Sequence, residues 1–370
     1  MYKPEFSVVV PTHGRVHLVE RLLRSLHDAR FLFQNATEVL IVDSSSSNDA
    51  KEIQDMCNKW NCRYFRGENK VGHKRNIGIN YACYDIIFFT DSDCEVQPNI
   101  FQAHSSSYIT NNNSVSAVLG LTEWNGAKGS LWNILPFTSA LTAAFSFAAW
   151  FPKVPWGTCT NLSVKREALI AVDGFDEKYP GKVYGEDVDL GLRLTLQGYT
   201  IYCNPHAIVK HSREMLTTFS QGIRKTFRTG RADYYLGEKH SERLSAEFPG
   251  PLIIVMLLLC VGILRVFLGN NIRFFLAPLL WLPFFVIASA ILTGLIEKNK
   301  GIHFFSRSGA VLLEVSFEAG RLFESLIHGS IKRAWTKFVY IDQQLMAERR
   351  QKIIQIWVAL IGFLLLILFL

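Results

Sequence analysis

The sequence predicts an α/β fold: a mostly parallel, doubly wound central sheet, followed by an α-helical membrane region. Three observations carry that expectation. Short β-branched runs alternate with helical patterns over the first 95 residues. Polar residues gather just past the ends of those runs, at the edge where open α/β sheets bind ligands. The last third of the chain holds long apolar stretches.

Composition narrows the class. The 370 residues suffice for one large or two ordinary domains. Apolar residues make up 49% and mean hydropathy is +0.15, higher than usual for a soluble enzyme, so membrane segments are expected. The net charge of +7 is not drawn from one basic run, which argues against a nucleic-acid partner. Seven cysteines, an odd count without a CxxC pair, argue against a disulfide framework or zinc ribbon and fit a reducing compartment. The stretch before Pro11 is too short an apolar run for a signal peptide.

Residues 6–10, FSVVV, form the first strand, which Pro11 ends. Thr12, His13 and Gly14 make a short loop, and Val16, Val19, Leu22, Leu23 and Leu26 repeat at helical spacing. Residues 39–42 form a second strand with Asp43 just past it; by itself Asp43 reads as a helix N-cap. Residues 63–65 add a third strand. Residues 72–79, GHKRNIGI, read as a glycine-flanked basic turn entering a short helix.

Residues 86–95, IIFFTDSDCE, are the informative stretch. The apolar run is too short for a core helix and reads as a buried parallel strand. Asp91 and Asp93 follow it. Acids at i and i+2 on a turn can meet one hard divalent cation, which takes oxygen ligands and commonly grips phosphate as well. A solvated Asp-Ser-Asp turn gives the same pattern.

Residues 115–120 form another strand. Residues 131–152 carry no charge and resemble a membrane helix in hydropathy. One crossing there would separate Asp93 from the acids at 185–189, and Pro136 interrupts it. An amphipathic hairpin or helix at the membrane interface is expected instead, with a buried core helix as the alternative. Residues 156–164 form a strand that includes Asn161. Residues 184–189 open a helix with acids in its first turn, which the helix dipole favours. The dipole also keeps a carboxylate ionised, as a general base requires.

These motifs carry a resemblance. SVVVPTHGR, VDSSSSND, GHKRNIGI and FFTDSD resemble the nucleotide-binding half of the family 2 glycosyltransferases with a GT-A fold. GTCTNLSVKREAL, DGFDE and GEDVDLGLRL resemble that family's acceptor half. The resemblance implies sugar transfer from a nucleotide-diphosphate donor, with inversion and with Mn²⁺ or Mg²⁺. It implies that Pro11, Thr12 and Asp43 line the base and ribose, and that Arg75 and Asn76 lie near the diphosphate or base. Lys74 stands where the family more often has a small residue. Asp91 would face ribose and metal, Asp93 would bind the metal directly, and Asn161 would lie near the donor sugar. Asp187 would be the general base and Glu186 would orient the acceptor, leaving Asp189 structural. His211 would be a third metal ligand, or else a surface histidine. Residues 221–225 resemble the QxxRW element of processive polysaccharide synthases, with Lys225 in place of the Trp. Arg224, with Lys225, Arg228 and Arg231, would clamp the donor diphosphate, a lipid phosphate or anionic head groups.

Residues 252–268 and 274–296 read as a transmembrane hairpin joined by GNNIR, and residues 353–370 as a third span. Eighteen residues rise ~27 Å as a helix, just short of a ~30 Å hydrocarbon core. Lys and Arg flank the hairpin on both sides, which places the catalytic domain in the cytoplasm. Arg265 and Arg273 fit this arrangement poorly. Glu314, Glu318, Arg321, Glu324 and His328 form a charged stripe on an amphipathic helix, expected to lie on the membrane or over the catalytic domain.

The expected organisation is therefore a glycosyltransferase domain over 1–245, a hairpin over 246–296, cytoplasmic or interfacial helices over 297–352 and a last span over 353–370. The expected protein is a multi-pass inner or plasma membrane enzyme of the hexosyltransferase type. It moves a sugar from a nucleotide sugar, expected to be a UDP-sugar, to a hydroxyl of a lipid-linked or membrane-proximal glycan acceptor. A processive synthase or a non-catalytic nucleotide-sugar-binding membrane protein is the alternative.

Overall fold

The alternation expected for the opening residues holds in a computed structural model. It describes residues 3–110, 115–179, 183–246, 250–268, 276–297, 303–342 and 346–369. Strand β1 (Phe6–Thr12) leads to α1 (Val16–Leu32), then β2 (Thr37–Asp43), α2 (Ser47–Lys59), β3 (Arg63–Arg66), α3 (Val71–Tyr81) and β4 (Ile86–Phe89). β1 pairs in parallel with β2 and β4, and β2 with β3. Val8, Val9, Val10, Phe88 and Phe89 are buried on both faces, which is why these strands read as unbroken apolar runs. Thr12 is in register with Asp43, so the loops after β1, β2 and β4 share one sheet edge.

The unit continues with β5 (Cys94–Val96), α4 (Ile100–Thr110), β6 (Ala117–Asn125), α5 (Phe147–Trp150), β7 (Lys153–Val154), β8 (Leu162–Lys165), α6 (Arg166–Ala171), α7 (Glu186–Leu196) and β9 (Ile201–Ser212). The sheet runs β3-β2-β1-β4-β8-β6-β9-β5, with β7 paired to β9. β8 is antiparallel to β4 and β6, so the far half is mixed rather than parallel.

Three local expectations change. Residues 72–79 are helical throughout, because Gly78 lets α3 settle on β1; a Cβ there would stand 2.3 Å from Val9 Cγ1. The strand expected at 156–164 begins only at Leu162, and the residues before it form a loop. Residues 131–152 form neither a membrane helix nor one core helix. They make short 3₁₀ turns at Ser130–Asn133, Leu135–Phe137 and Ala143–Ser146, then α5. Pro136 cannot continue a helix, and Thr138 Oγ1 takes the N–H of Ala140.

The chain divides into two units, residues 1–127 with 142–215 and residues 128–141 with 216–370. The boundary expected at 245 therefore moves to 215. The reason is α8 (Phe219–Lys239), which packs against α11 (Phe304–Ile327) through reciprocal glycines. A Cβ on Gly230 would lie 1.9 Å from Phe317 O, and one on Gly320 would lie 2.0 Å from Phe227 O.

The second unit also holds β10 (Leu244–Ala246), α9 (Pro251–Phe267), α10 (Leu276–Ile296), α12 (Ile331–Ala334), β11 (Thr336–Phe338), antiparallel to β10, and α13 (Met346–Phe369). Its apolar core joins Ile254, Leu258, Trp281, Phe285, Val311 and Val358. Of the charged stripe on α11, expected to lie on the membrane or over the catalytic domain, Glu318, Arg321 and Glu324 are buried. Glu318 accepts from Leu252 N (3.2 Å) and Ile253 N (3.4 Å), capping the start of α9. Glu324 is buried against Arg231 and accepts from Tyr235 Oη at 3.0 Å. Phe305, Phe323, Leu326 and Ile327 of the same helix are exposed, as is His328 just past its end. Among the described residues one helical stretch, Pro278–Ile296, is long and apolar enough to cross a membrane; Pro251–Phe267 and Gln351–Leu364 are shorter. The GNNIR loop with Arg273 lies outside the described residues.

Candidate active site

The turn after β4 is closed by a bond from Cys94 N to Asp91 O (3.1 Å) and turns its two acids in different directions. Asp93 is held at both oxygens: Arg15 Nη1 reaches Oδ2 at 2.6 Å and His211 Nε2 lies 3.5 Å from Oδ1. The turn also docks on the end of β9, where Ser212 N donates to Asp93 O at 2.8 Å. His211 Nδ1 lies 2.9 Å from Ser212 O, which can only accept, so Nδ1 carries the hydrogen. In the neutral ring Nε2 then presents its lone pair toward a carboxylate, and the Trp124 ring packs 4.6 Å away. A lone pair facing an anion calls for a cation or a proton between them. Asp93 and His211 are 8% and 9% exposed, so water screens them little.

Ligand atoms of Asp93, Cys94 and His211 lie within 4.8 Å of one another. Burial and the two neighbouring aspartates push the Cys94 thiol well up, so sulfur suits a hard cation poorly. Asp93 and His211 therefore fit a divalent ion. Asp91, expected as a ligand beside them, is occupied otherwise: Arg75 Nη2 reaches Oδ1 at 3.1 Å and Thr160 Oγ1 donates to Oδ2 at 2.9 Å. Burial would raise its pKa, but Arg75 and His211 hold the carboxyl below its usual range.

Arg75 projects from the first turns of α3. Its Nη1 binds Glu186 Oε1 at 3.0 Å, while Nη2 holds Asp91. The same guanidinium lies over the Phe175 ring at 5.3 Å. Glu186 opens α7, whose first residues follow Gly185 at φ 122°, a conformation that favours glycine. Asp187 stands beside Glu186 with Oδ1 taking its neighbour's Val188 N–H at 2.8 Å. Burial first, then the Glu186 carboxylate, push the Asp187 carboxyl up to about 7, against the opposing pull of Arg75. A carboxylate poised there accepts a proton near neutral pH. Asp189 turns away and pairs with Arg193 at 2.9 Å.

A family model described as Glycosyltransferase like family 2 matches residues 7–237, more than half of the chain. The protein is a family 2 glycosyltransferase. It is 22% identical over 281 residues to the rhamnosyltransferase WbbL of Escherichia coli K12, covering 65% of this chain and 98% of that one. It is 32% identical over 98 residues to the GalNAc(5)-diNAcBac-PP-undecaprenol beta-1,3-glucosyltransferase of Campylobacter jejuni, covering 25% of this chain and 31% of that protein. Among solved structures, the mannosyltransferase PcManGT of Pyrobaculum calidifontis, in complex with GDP-Man and Mn²⁺, matches at a TM-score of 0.48. It is 16% identical, and the match covers 98% of this chain and 88% of that one.

The other expected residues of this glycosyltransferase fall into two groups. Pro11, Thr12 and Asp43 end β1 and β2 at the ligand edge. Asp43 is not a helix cap: Oδ1 accepts from Ser45 N at 2.9 Å, and Oδ2 from Tyr64 Oη at 2.9 Å and Arg66 Nη1 at 2.6 Å. Asn76, expected near the donor, braces the distant Gly174-Phe175 turn with its amide. It donates to Phe175 O (2.8 Å) and accepts from Phe175 N (2.8 Å), beside Gly174 at φ 61°. Asn161 is fully buried beneath the sheet. It donates to Leu121 O (2.8 Å) and Ala207 O (2.9 Å), where the register of β6 and β9 shifts, and meets His104 Nε2 at 3.0 Å. Arg224 is exposed on α8, in the second unit.

Arg15 and Thr160 were not singled out by the sequence reading. Arg15 sits at φ 57° at the start of α1, a rare conformation that follows Gly14 at φ 63°. The adjacent Gly-Arg after the first strand is its only local signal. Thr160 lies on the loop before β8, where a Cβ at Gly157 would strike Leu119 at 2.5 Å.

Proposed function

We propose that the chain is a membrane-bound, metal-dependent, inverting glycosyltransferase of GT-A type. It moves a sugar from a nucleotide-diphosphate donor to a hydroxyl of a lipid-linked or membrane-proximal acceptor. One observation carries this reading: a single buried guanidinium, Arg75, ties the acidic turn after β4 to the acidic start of α7. That tie brings a cation-holding end and a proton-accepting end into one cluster, as direct displacement at an anomeric carbon requires.

In this reading Asp187 takes the acceptor's hydroxyl proton. Glu186, fixed by Arg75, orients the acceptor, and Thr12 and Asp43 border the base and ribose. Asp93 and His211 would hold Mn²⁺ or Mg²⁺, which when bound offsets negative charge on the departing diphosphate. Arg15 and Arg75 add fixed positive charge at the same edge.

The acceptor class is supported by the undecaprenol-linked substrate in the name of the Campylobacter relative. Membrane attachment is supported by Pro278–Ile296, with exposed Leu280 and Ile287, and by exposed apolar side chains on α9 and α13, among them Leu257, Leu264 and Trp357. The flanking basic residues favour a cytoplasmic catalytic face.

Purified membranes carrying the protein, screened against UDP-, dTDP- and GDP-sugars, test the reading. Donor hydrolysis that requires Mn²⁺ or Mg²⁺ and disappears in Asp93→Ala is expected. Hydrolysis indifferent to chelator, or unchanged in Asp93→Ala, contradicts it.

A further inference from the structure

Lys74 stands out in the cluster. It is 2% exposed, yet its ammonium meets only neutral acceptors: Thr12 O at 2.8 Å and Ser44 Oγ at 3.0 Å. Arg75, the neighbouring buried cation, has two carboxylate partners. A buried charge is nearly always paired, because leaving water is costly for it. Among the described residues no carboxylate bonds to Lys74.

Its surroundings say what is missing. Asp43 attracts the ammonium from β2, and Arg75 and Arg15 repel it from α3 and the start of α1. Asp43 is already committed to Ser45, Tyr64 and Arg66. Three cations thus gather between the base-and-ribose edge and the acidic turn, two of them paired with carboxylates. An ammonium has three hydrogens, and the two acceptors leave one. Gly67 makes room for the stem: a Cβ there would lie 3.1 Å from Lys74 Cγ.

We infer that Lys74 binds a phosphate oxygen of a nucleoside diphosphate, completing a cationic cradle with Arg15 and Arg75. The inference rests on the donor proposed above and adds a residue to its binding site. The bland alternative is that Lys74 only laces the β1 and β2 loops together.

Isothermal titration of the full-length protein separates them, with ligand-observed NMR for weak ligands. The probes are UDP, dTDP and GDP, and uridine, thymidine and guanosine. Lys74→Met removes the charge, and Lys74→Gln keeps an N–H for Thr12 O. Both variants are expected to bind the preferred diphosphate about tenfold more weakly or worse, and its nucleoside as the wild type does. Wild-type affinity for the diphosphate in Lys74→Gln overturns the inference. So does an equal loss for nucleoside and diphosphate, which is what loop lacing produces. A wild type that binds none of the diphosphates overturns the donor reading itself and this inference with it.

Discussion

Asp91 and Glu186 share one guanidinium: Arg75 reaches the first at 3.1 Å and the second at 3.0 Å, from nitrogens of the same buried side chain. The two acids lie 95 positions apart in sequence, one on the turn after β4 and the other at the first residue of α7. Removing the guanidinium leaves two half-buried carboxylates opposed without their shared counter-charge. Arg75→Met is expected to destabilise the fold, by less than the roughly 3–5 kcal/mol of breaking a fully buried pair. Arg75→Lys keeps the charge but cannot reach both acids with the same fork. It is expected to recover part of the stability and little activity, measured by thermal unfolding and donor turnover.

The raised Asp187 carboxyl gives a pH dependence with a definite sign. A base must be ionised, so kcat/KM is expected to fall about tenfold per pH unit below roughly pH 7. Stability runs the other way. The folded state binds the Asp187 proton more tightly than the unfolded chain, whose ordinary value is 3.8. Its contribution is present below about pH 4 and is lost as pH rises toward 7. Asp187→Asn is therefore expected to raise Tm relative to wild type at pH 8 and much less at pH 4. Equal shifts at both pH values argue against the burial cause.

His211→Gln tests the cation site apart from turnover. The imidazole is oriented by its bond to Ser212 O; losing even such an outer partner of a ligand histidine commonly costs about 10–100-fold in metal affinity, so losing the ring itself should cost at least as much. Mn²⁺ titration followed by electron paramagnetic resonance is expected to show at least about tenfold weaker binding in His211→Gln. Unchanged Mn²⁺ affinity removes His211 from the ligand set.

Asn161→Ala is expected to behave as a stability variant. It strips partners from Leu121 O on β6, Ala207 O on β9 and the buried His104 of α4. Burial pushes His104 down to about 4, so the ring is a neutral hydrogen-bonding partner rather than a charge. Each orphaned group costs about 1–3 kcal/mol. Tm should drop by several degrees, with the donor KM of the surviving enzyme within about twofold of wild type.

The strands, the ligand edge and the acidic helix start were legible because period and position carry them. FSVVV and IIFF are buried on both faces, and the GEDVD acids sit at a helix N-terminus. What was not legible depends on tertiary placement. GHKRN looks like a turn because two glycines flank it; only the Val9 surface shows that Gly78 serves helix-to-sheet contact. Asn161 looks like a ligand residue, and only the register shift beside Gly120 shows what it fills. The stripe of Glu318 and Glu324 reads as the polar face of an amphipathic helix, and only α8 and the start of α9 reveal its buried partners. Arg15 owes its role to a left-handed backbone, which no period encodes.

The most direct test of the account is single-turnover transfer by Asp187→Asn, run alongside donor binding. The substitution keeps side-chain volume and removes only the proton acceptor. Donor affinity within about threefold of wild type, with transfer slowed at least a hundredfold, is the predicted result, since general base catalysis contributes about 10²–10⁴. Transfer at the wild-type rate by that variant contradicts the account.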